Sequence, residues 1–376
     1  MASETTSKQM NYNQDIKYDK MKKVVVGLSG GVDSAVTALL LKEQGHNVLG
    51  VFMQNWEVDN DDPHCLAEQD LKDAKAVADH IGIPFETVNF AKEYWQRVFQ
   101  YCLDEFSAGR TPNPDVLCNR EIKFKAFLEY ALNQGADYLA TGHYAKVTHG
   151  EHPQLHKAID TNKDQTYFLH ALGEKELSRS LFPLGELEKS DVRKIAETAR
   201  LPNFDKKDST GLCFIGERKF KTFLNEFLLA KPGEIRTPEG EKLGKHDGLM
   251  FYTLGQRKGL NIGGQKNADQ DAWYVLDKDI ENNRLIVGQG HDHPLLYTTH
   301  LTGEQPHWIS GESPMIPFKC HAKTRYRQAD QACTITAIDA DKFEVSFEQA
   351  QRAITPGQYI VFYAEDICLG GGTIDK

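Results

Sequence analysis

The first part of the chain alternates between short apolar runs and longer stretches in which apolar residues recur at helical spacing. Apolar runs typical of strands cover residues 24–27, 48–53, 85–89 and 138–141. Helical stretches lie between them, at residues 35–44, 66–81, 92–106 and 119–134. Three of these stretches are followed by a glycine, as helix ends often are. Because repeated strand–helix units form parallel sheets covered on both faces, the pattern predicts a doubly wound α/β domain.

The pattern changes after Asp208. Residues 216–232 have the spacing of one more helix. Later segments alternate as half-buried strands do, at residues 273–276, 285–287, 333–338, 343–347 and 359–362. We therefore expect a disordered leader at 1–20, the parallel-sheet domain at 21–215, a small mixed central domain at 216–290 and a C-terminal β-barrel at 291–376.

Composition narrows the class of protein. The formal net charge of −10 argues against a wholly basic protein that coats nucleic acid, although it leaves room for a local basic surface. The apolar runs are too short to span a bilayer, and residues 1–20 are polar and contain acids, unlike a secretory signal or a transit peptide. We therefore expect a cytoplasmic protein that makes no contact with a membrane.

The seven cysteines are widely spaced and include no Cys-x-x-Cys pair. In a reducing compartment, each is expected to be a small buried side chain with an inert thiol. A functional role for any of them needs a separate argument.

A glycine-rich segment, the phosphate loop (residues 27–34), joins the first strand to the first helix. Its glycines let backbone N–H groups approach an anion, two serines add hydroxyls, and the helix directs its positive dipole end to the same point. The alternative is a tight turn in which Asp33 or Ser34 caps the helix. The segment matches neither the Walker A nor the Gly-x-Gly-x-x-Gly pattern.

Ser29-Gly30-Gly31-Val32-Asp33-Ser34 resembles the pyrophosphate loop of the ATP pyrophosphatase (PP-loop) superfamily. The resemblance implies that ATP is cut between its α and β phosphates, with AMP passing to the substrate. It also explains why the loop has no lysine, because no γ-phosphate is transferred. Asp33 would repel pyrophosphate unless Mg²⁺ intervened, so we expect Mg²⁺ bound with ATP near Asp33 and no direct protein ligand set for a metal.

Two distant cysteines lie in distinctive surroundings. The proline loop (residues 109–115) precedes Cys118, and its prolines are expected to exclude a helix, which would place Cys118 near the start of the next one. A helix dipole there would favour the thiolate, and Asp115 could accept a proton or orient a base. Cys213 has lysines on both sides, which also favour the thiolate.

The two cysteine motifs, Thr-Pro-Asn-Pro-Asp-x-x-Cys-Asn and Asp-Ser-Thr-Gly-x-Cys-Phe-Ile-Gly-Glu-Arg, together resemble those of the tRNA-specific 2-thiouridylase family, known as MnmA in bacteria. The resemblance runs from about residue 22 to the C-terminus. It implies an ATP site formed by Gly27, Leu28, Ser29, Gly30, Gly31, Val32, Asp33, Ser34, Met53 and Gly142. It implies contacts with the target uridine from Asn113, Pro114 and Asp115. It implies contacts with the rest of the tRNA from His143, Lys163, Asp164, Gln165, Arg325, Tyr326 and Gln358.

The same resemblance implies a mechanism. The C2 carbonyl of uridine is a poor electrophile, so adenylation of its oxygen creates a leaving group. Cys213 would carry a persulfide received from a sulfur-relay donor protein. Cys118 would attack the Cys213 sulfur, either releasing sulfide or cleaving the covalent adduct, and leave a Cys118–Cys213 disulfide. Asp115 would act as the general acid/base. The assignment of the persulfide to Cys213 rests on the resemblance, because spacing does not distinguish the two thiols.

Other interpretations remain open from the residues alone. Asp115, Cys118 and Cys213 could instead ligate an iron–sulfur cluster. Another adenylating ligase or amidotransferase would leave both cysteines unexplained, and a non-catalytic RNA-binding module would leave the phosphate loop without a use. For the leading interpretation we expect Lys, Glu and Gln acceptor tRNAs and a monomer. We also expect Arg325, Tyr326 and Arg327 to alternate on a barrel strand that contacts tRNA.

Overall fold

A computed structural model describes residues 21–56, 66–208, 220–262 and 271–375. The strands described in the N-terminal domain are β1 Lys23–Gly27, β2 Asn47–Gln54, β3 Phe85–Asn89, β4 Tyr138–Ala140, β5 Lys146–Thr148, β6 Gln154–His156 and β7 Ser180–Leu181. Its described helices are α1 Val32–Glu43, α2 Leu66–Ile81, α3 Ala91–Tyr94, α4 Gln100–Ser107, α5 Pro114–Leu117, α6 Phe127–Asn133, α7 Thr166–Leu169, α8 Glu174–Leu177 and α9 Lys189–Thr198. π-Helical segments at Trp95–Phe99 and Cys118–Ala126 join α3 to α4 and α5 to α6.

Within these ranges, five strands form a parallel sheet in the order β3-β2-β1-β4-β7. β1 shows why both faces are covered: Val24, Val25 and Val26 are all 0% exposed. Val25 packs in the hydrophobic cluster on one face, and its two neighbours pack in the cluster on the other. Since successive strand residues point to opposite faces, the doubly wound arrangement predicted from the sequence is confirmed.

The central domain is smaller. The elements described there are α10 Phe220–Leu224, β8 Gly233–Arg236, β9 Lys242–His246, β10 Trp273–Asp279 and β11 Arg284–Gln289. These strands form a mixed sheet in the order β10-β11-β8-β9. Residues 216–219 of the helix predicted at 216–232 lie outside the described residues, and the prediction is wrong beyond Leu224. Glu226 N and Phe227 N bond three residues back, to Phe223 O and Leu224 O, and Leu228 N also bonds to Leu224 O, so a turn follows the helix.

The C-terminal domain is a barrel. Its described strands are β12 Tyr297–Trp308, β13 Phe318–Lys323, β14 Gln331–Ile338, β15 Lys342–Arg352, β16 Tyr359–Ala364 and β17 Ile367–Ile374. β12 pairs with β15 on one side and with β17 on the other, which closes an antiparallel ring of six described strands. The barrel predicted from the sequence is confirmed.

One connection crosses the domain division that the sequence suggests. The β5–β6 hairpin belongs to the N-terminal part of the chain but pairs with β17, through Leu155 with Cys368 and His156 with Ile367. The sequence does not reveal this pairing because it joins residues about two hundred positions apart. In the described part of the chain, no helix is both long and apolar enough to cross a membrane.

Candidate active site

The phosphate loop is held in shape by its two serines. Ser34 Oγ donates to Gly31 O at 3.0 Å, and Ser29 N donates to Ser34 Oγ at 3.2 Å. The N-cap residue of α1 is Gly31, which offers no side chain to the first N–H groups of the helix, so the alternative that Asp33 or Ser34 caps α1 is wrong. Those N–H groups and the positive end of the α1 dipole suit phosphate oxygens.

Two glycines are required by close approaches of backbone. Gly30 has φ +78°, and a Cβ there would lie 2.9 Å from Asp70 Cα. A Cβ at Gly142, which follows β4, would lie 2.8 Å from Ser34 N. Asn203 Nδ2 fixes the loop from the other side by donating to Gly30 O at 2.9 Å. The phosphate loop therefore packs between α2, the end of β4 and the segment after α9.

Asp33 is already paired with a cation. Lys189 Nζ lies 2.7 Å from Asp33 Oδ1 and 2.8 Å from Oδ2, and Tyr144 Oη donates to Oδ1 at 2.8 Å. Lys189 is the first residue of α9, with a side chain 14% exposed. Burial and the neighbouring Asp33 carboxylate raise the pKa of Tyr144, so its hydroxyl keeps its proton. The sequence argument for Mg²⁺ assumed an uncompensated Asp33, and that assumption is wrong; Mg²⁺ itself stays a prediction.

The charge network continues from Lys189 to Asp208. The carboxylate of Asp208 lies 2.8 Å from Lys189 Nζ, 2.7 Å from Lys163 Nζ and 2.8 Å from Arg193 Nη2. Burial alone would raise the pKa of Asp208, but hydrogen bonds from Lys163 and Lys189 hold it well below its usual value. Asp208 therefore stays ionised and ties α9 to the start of the segment that contains Cys213.

The helix that carries Cys118 begins earlier than the sequence pattern predicts. Asn113 Oδ1 accepts from Asp115 N at 3.2 Å and from Val116 N at 3.5 Å, and Pro114 occupies the first helical turn. The expectation that the prolines exclude a helix is wrong at Pro114, because the first helical position needs no N–H group. Cys118 N bonds to Pro114 O, so Cys118 lies past the first turn, where the helix dipole has weakened.

Asp115 and Cys118 lie at the same edge of the sheet as the phosphate loop. The helix from Pro114 to Asn133 leads into β4, so it runs opposite to the parallel strands and starts at their carboxyl edge. Cys118 is buried, and Asp115 is half-buried. Burial raises the pKa of the Asp115 carboxyl above its usual value, and Lys123 offsets this only in part. A raised pKa suits a group that exchanges protons near neutral pH.

Sequence comparisons place this geometry in a family. The described fold coincides with family models for a "tRNA methyl transferase HUP domain" at residues 22–217, a "tRNA methyl transferase PRC-barrel domain" at 221–289 and an "Aminomethyltransferase beta-barrel domain" at 298–374. A tRNA-specific 2-thiouridylase MnmA of Coxiella burnetii is 60% identical over 95% of this chain and 97% of its own. The Proteus mirabilis MnmA is 57% identical over 95% of this chain and 98% of its own.

This chain belongs to the MnmA family of tRNA-specific 2-thiouridylases. The family predicted from the two cysteine motifs is thereby confirmed. Among solved structures, a 4-thiouridine synthetase–RNA complex with bound ATP is 18% identical, covering 55% of this chain and 49% of its own at a TM-score of 0.35. The NMN synthetase of Francisella tularensis is 19% identical, covering 55% and 73% at a TM-score of 0.34. We draw nothing from likenesses this distant.

The residues that the MnmA resemblance assigns to ATP lie together. Leu28 N bonds to Val51 O at 2.9 Å, which anchors the phosphate loop to β2, and Val32 begins α1. A Cβ at Gly27 would lie 3.6 Å from Met53 Cε, so Met53 flanks the start of the loop. The predicted ATP contacts themselves stay predictions.

The MnmA resemblance assigns residues 163–165 to tRNA contact. In the structure, the side chains of these residues form hydrogen bonds within the protein. Asp164 is 5% exposed, and its carboxylate accepts from Ala158 N at 3.2 Å and from Thr166 Oγ1 at 2.9 Å. Gln165 Oε1 accepts from Tyr144 N at 2.9 Å, while Lys163 bonds to Asp208. Contact with tRNA stays a prediction for all three, and the Asp164 carboxylate serves first to hold its own turn.

His143 is buried against two phenylalanines. Its ring centroid lies 5.8 Å from that of Phe124 and 6.2 Å from that of Phe182, and its Nδ1 lies 2.7 Å from Thr141 Oγ1. Burial lowers the pKa of His143 well below its usual value, and Lys123 adds to this, so the ring is neutral at pH 7. Any contact of His143 with RNA would therefore involve a neutral imidazole.

Arg325, Tyr326 and Arg327 do not alternate on a strand, and that prediction is wrong. β13 ends at Lys323, and the three residues lie in a turn in which Arg327 has φ +63°. The Tyr326 ring packs 4.5 Å from Phe168, while Arg325 is exposed. The turn still presents a cation beside an aromatic ring, and tRNA contact stays a prediction. Gln358, also assigned to tRNA, bonds to the backbone of the proline loop.

Cys213, the second cysteine of the MnmA motif pair, lies outside the described residues, and so does Cys65. Among the described residues, no group of three His, Cys, Asp or Glu side chains could hold a metal ion, which leaves the iron–sulfur alternative untested because it requires Cys213. Cys102, Cys320, Cys333 and Cys368 are buried, as expected of structural cysteines.

The sequence analysis missed Lys189, Tyr144 and Asp208. Asp208 opens the second cysteine motif but had no role assigned to it, and Lys189 and Tyr144 lie outside both cysteine motifs and the phosphate loop. Lys189 is separated from Asp33 by 156 positions, and Tyr144 by 111. No helix was predicted at residues 189–198, so no sequence signal pointed to Lys189.

Proposed function

We propose that this protein is an ATP-dependent sulfurtransferase that converts the wobble uridine of tRNA to 2-thiouridine. One observation carries the proposal. In this chain of the MnmA family, the phosphate loop and the start of the helix that bears Asp115 and Cys118 lie at the same edge of one sheet. Activation by ATP and attack by a thiol require these groups side by side.

The described residues fit ATP as the first substrate. The uncapped start of α1 leaves backbone N–H groups for the β and γ phosphates. The Lys189 ammonium, now on Asp33, can be shared with a phosphate that enters the loop. Mg²⁺ bound near Asp33 would neutralise further phosphate charge.

The reaction then follows in three steps: adenylation of the uridine, release of hydrosulfide by the two thiols, and replacement of AMP by sulfur. The uridine O2 attacks the α phosphorus of ATP, forming an O–P bond and releasing pyrophosphate. The Cys118 thiolate attacks Sγ of the Cys213 persulfide, forming a Cys118–Cys213 disulfide and releasing hydrosulfide. Hydrosulfide attacks C2 and AMP leaves, so the tRNA gains sulfur and the enzyme requires later reduction. Asp115, with its raised pKa, exchanges protons at the base.

The partners follow from this chemistry. A sulfur-relay protein must load the persulfide on Cys213, and the substrates would be the Lys, Glu and Gln acceptor tRNAs expected of the family. The target base must leave its stack to reach a thiol on a helix start, so it is bound flipped out. We place the protein in the cytoplasm, acting as a monomer.

The proposal is tested by incubating the protein with tRNA, ATP, Mg²⁺ and a persulfide donor, followed by nucleoside analysis of the tRNA. We expect 2-thiouridine. A different adenylation-dependent product would support a ligase or amidotransferase, and no turnover would support an RNA-binding module; either result overturns the proposal.

The two-thiol scheme predicts the behaviour of Cys118→Ser and Cys213→Ser. Each variant should form no 2-thiouridine, because neither a disulfide nor free hydrosulfide can be produced. Pyrophosphate release should persist, since adenylation needs neither thiol. Cys102→Ser, which alters a buried cysteine outside the motifs, is the control. Full thiolation by either of the first two variants would refute the scheme.

A further inference from the structure

The Gln358 side chain is occupied by the proline loop (residues 109–115). Its Nε2 donates to Thr111 O at 2.7 Å and to Pro112 O at 3.2 Å. Its Oε1 accepts from Asn113 Nδ2 at 3.5 Å. Both amide hydrogens and the carbonyl oxygen are therefore directed at three successive residues of the loop.

The barrel also holds the proline loop elsewhere. Thr111 N donates to Pro356 O at 3.0 Å, and Arg110 Nη1 donates to Glu304 Oε1 at 3.3 Å. Gly357, with φ +87°, lets the two backbones meet, because a Cβ there would lie 2.9 Å from Thr111 N. The loop is thus fixed from the barrel side over four consecutive residues, 110–113.

The contacts continue into the active site. Asn113, which Gln358 contacts through Nδ2, uses Oδ1 to bond Asp115 N and Val116 N and so begins α5. The same helix carries Cys118 one turn later. A shift of Gln358 would therefore shift the residues proposed to contact the target base and the thiol proposed to attack the persulfide.

We propose that Gln358 is a positioning residue, which holds the proline loop and the start of α5 in the geometry needed for sulfur transfer. The inference rests on the proposed function for its effect on rate, while its structural part stands apart from it. A bond from Gln358 Nε2 to RNA would have to replace a bond to Thr111 O or Pro112 O, because both amide hydrogens are used. Either exchange would leave a loop carbonyl without its partner.

The test uses Gln358→Glu and Gln358→Leu in the full chain. Glu keeps the size of the side chain but presents carboxylate oxygens to the carbonyls of Thr111 and Pro112, and Leu removes the hydrogen bonds without adding charge. Gln349→Glu is the matched control, because Gln349 is an exposed residue of β15 whose backbone carbonyl accepts from Gln351 Nε2. Three quantities are measured: the single-turnover thiolation rate at saturating tRNA, the tRNA dissociation constant, and amide hydrogen exchange over residues 110–117.

We expect both Gln358 variants to thiolate about tenfold more slowly or worse, since small displacements of reacting groups cost this much. The tRNA dissociation constant should change less than about twofold, whereas amide exchange at Thr111, Asp115 and Val116 should accelerate. Gln349→Glu should match the wild type in all three measurements.

Two results would overturn the inference. A weaker tRNA dissociation constant with an unchanged rate at saturation would make Gln358 a direct RNA contact. Unchanged amide exchange in both variants would show that the side chain does not hold the loop. If the wild type made no 2-thiouridine, the proposed function would fail, but the exchange measurement would still decide the positioning role.

Discussion

Lys189 is the residue whose role depends most on tertiary contacts. The phosphate loop contains no lysine of its own, yet a lysine from the first turn of α9 lies against both carboxylate oxygens of Asp33. The same ammonium contacts Asp208, whose pKa is held low by Lys163 and by Lys189 itself. One side chain therefore links the phosphate loop to the start of the Cys213 segment.

Replacing Lys189 with Ala should weaken ATP binding by about tenfold, because Asp33 would then face the phosphates without its compensating charge. Lys189→Arg keeps the charge and should lose less. Isothermal titration with ATP and Mg²⁺, together with a pyrophosphate-release assay, measures the effect. Lys42→Ala, an exposed lysine at the far end of α1, is the control. Equal ATP affinity in Lys189→Ala and the wild type would exclude Lys189 from the phosphate site.

Some residue roles were predictable because they depend on local chemistry. Gly30 was singled out for its backbone freedom, and its φ of +78° agrees. Asp164 shows the opposite case, since its motif position says nothing about its being 5% exposed. Whether a polar side chain faces RNA or its own turn is set by packing between distant segments, which a motif does not encode.

At the scale of elements, the two adjacent glycines of the phosphate loop, Gly30 and Gly31, differ in backbone conformation and in surroundings. Gly30 has a left-handed backbone conformation and lies against the backbone of Asp70, whereas Gly31 has φ −84°, with Ser29 Oγ 3.4 Å from the site of a Cβ. Only the first position excludes a side chain on both conformational and steric grounds.

Gly30→Ala should therefore lower the free energy of unfolding by about 2 kcal/mol or more, combining the left-handed backbone penalty with displacement of α2. Gly31→Ala should change the free energy of unfolding by less than about 1 kcal/mol, because the extended backbone of Gly31 accommodates a Cβ. Urea unfolding at pH 7 compares the two. Equal destabilisation by both substitutions would contradict the loop geometry described here.

Element boundaries were less predictable than element order. Four of the five described strands of the parallel sheet, β1 to β4, were predicted within a residue or so, because short apolar runs are a strong local signal. The two-residue strand β7 was not predicted. The helix before β4 was predicted from residue 119, but it begins at Pro114. Pro114 fits there because the first helical position needs no N–H group, and Asn113, which caps the helix, is contacted by Gln358 from another domain.

At the scale of the whole molecule, the N-terminal domain and the barrel share a buried interface. His170 is 1% exposed, its Nδ1 donates to Tyr167 O at 2.7 Å, and its ring lies 5.0 Å from that of Tyr359 on β16. Tyr167 Oη donates to Tyr359 O at 2.9 Å. Burial lowers the pKa of His170 to about 3, and nearby His307 and Arg120 add to this effect.

The lowered pKa of His170 predicts acid sensitivity. Between pH 6.5 and about 3 the unfolded chain binds a proton at this histidine and the folded chain does not, so stability falls as the pH drops through that window. The expected loss is about 2.5 kcal/mol at pH 4.5 relative to pH 7. His170→Asn keeps a donor for Tyr167 O and should remove this part of the loss.

Urea unfolding of the wild type and His170→Asn at pH 7 and pH 4.5 measures this. Exposed His80→Asn, a histidine of α2 that packs outside this interface, is the control. If His170→Asn and the wild type lost the same stability on acidification, the buried imidazole would not be the cause.

The sequence by itself determined the parallel sheet, the barrel, the phosphate loop, the placement of Asp115 beside Cys118, and the MnmA family. These features follow from residues that are close together in the sequence: glycines where backbones meet, β-branched residues in strands, and cysteines within fixed motifs. Tertiary structure alone decided that Lys189 neutralises Asp33, that Gln358 holds the proline loop, and that the β5–β6 hairpin extends the barrel sheet. Each of these joins residues more than 150 positions apart, and such contacts depend on how whole domains pack, which the spacing of residues along the chain does not specify.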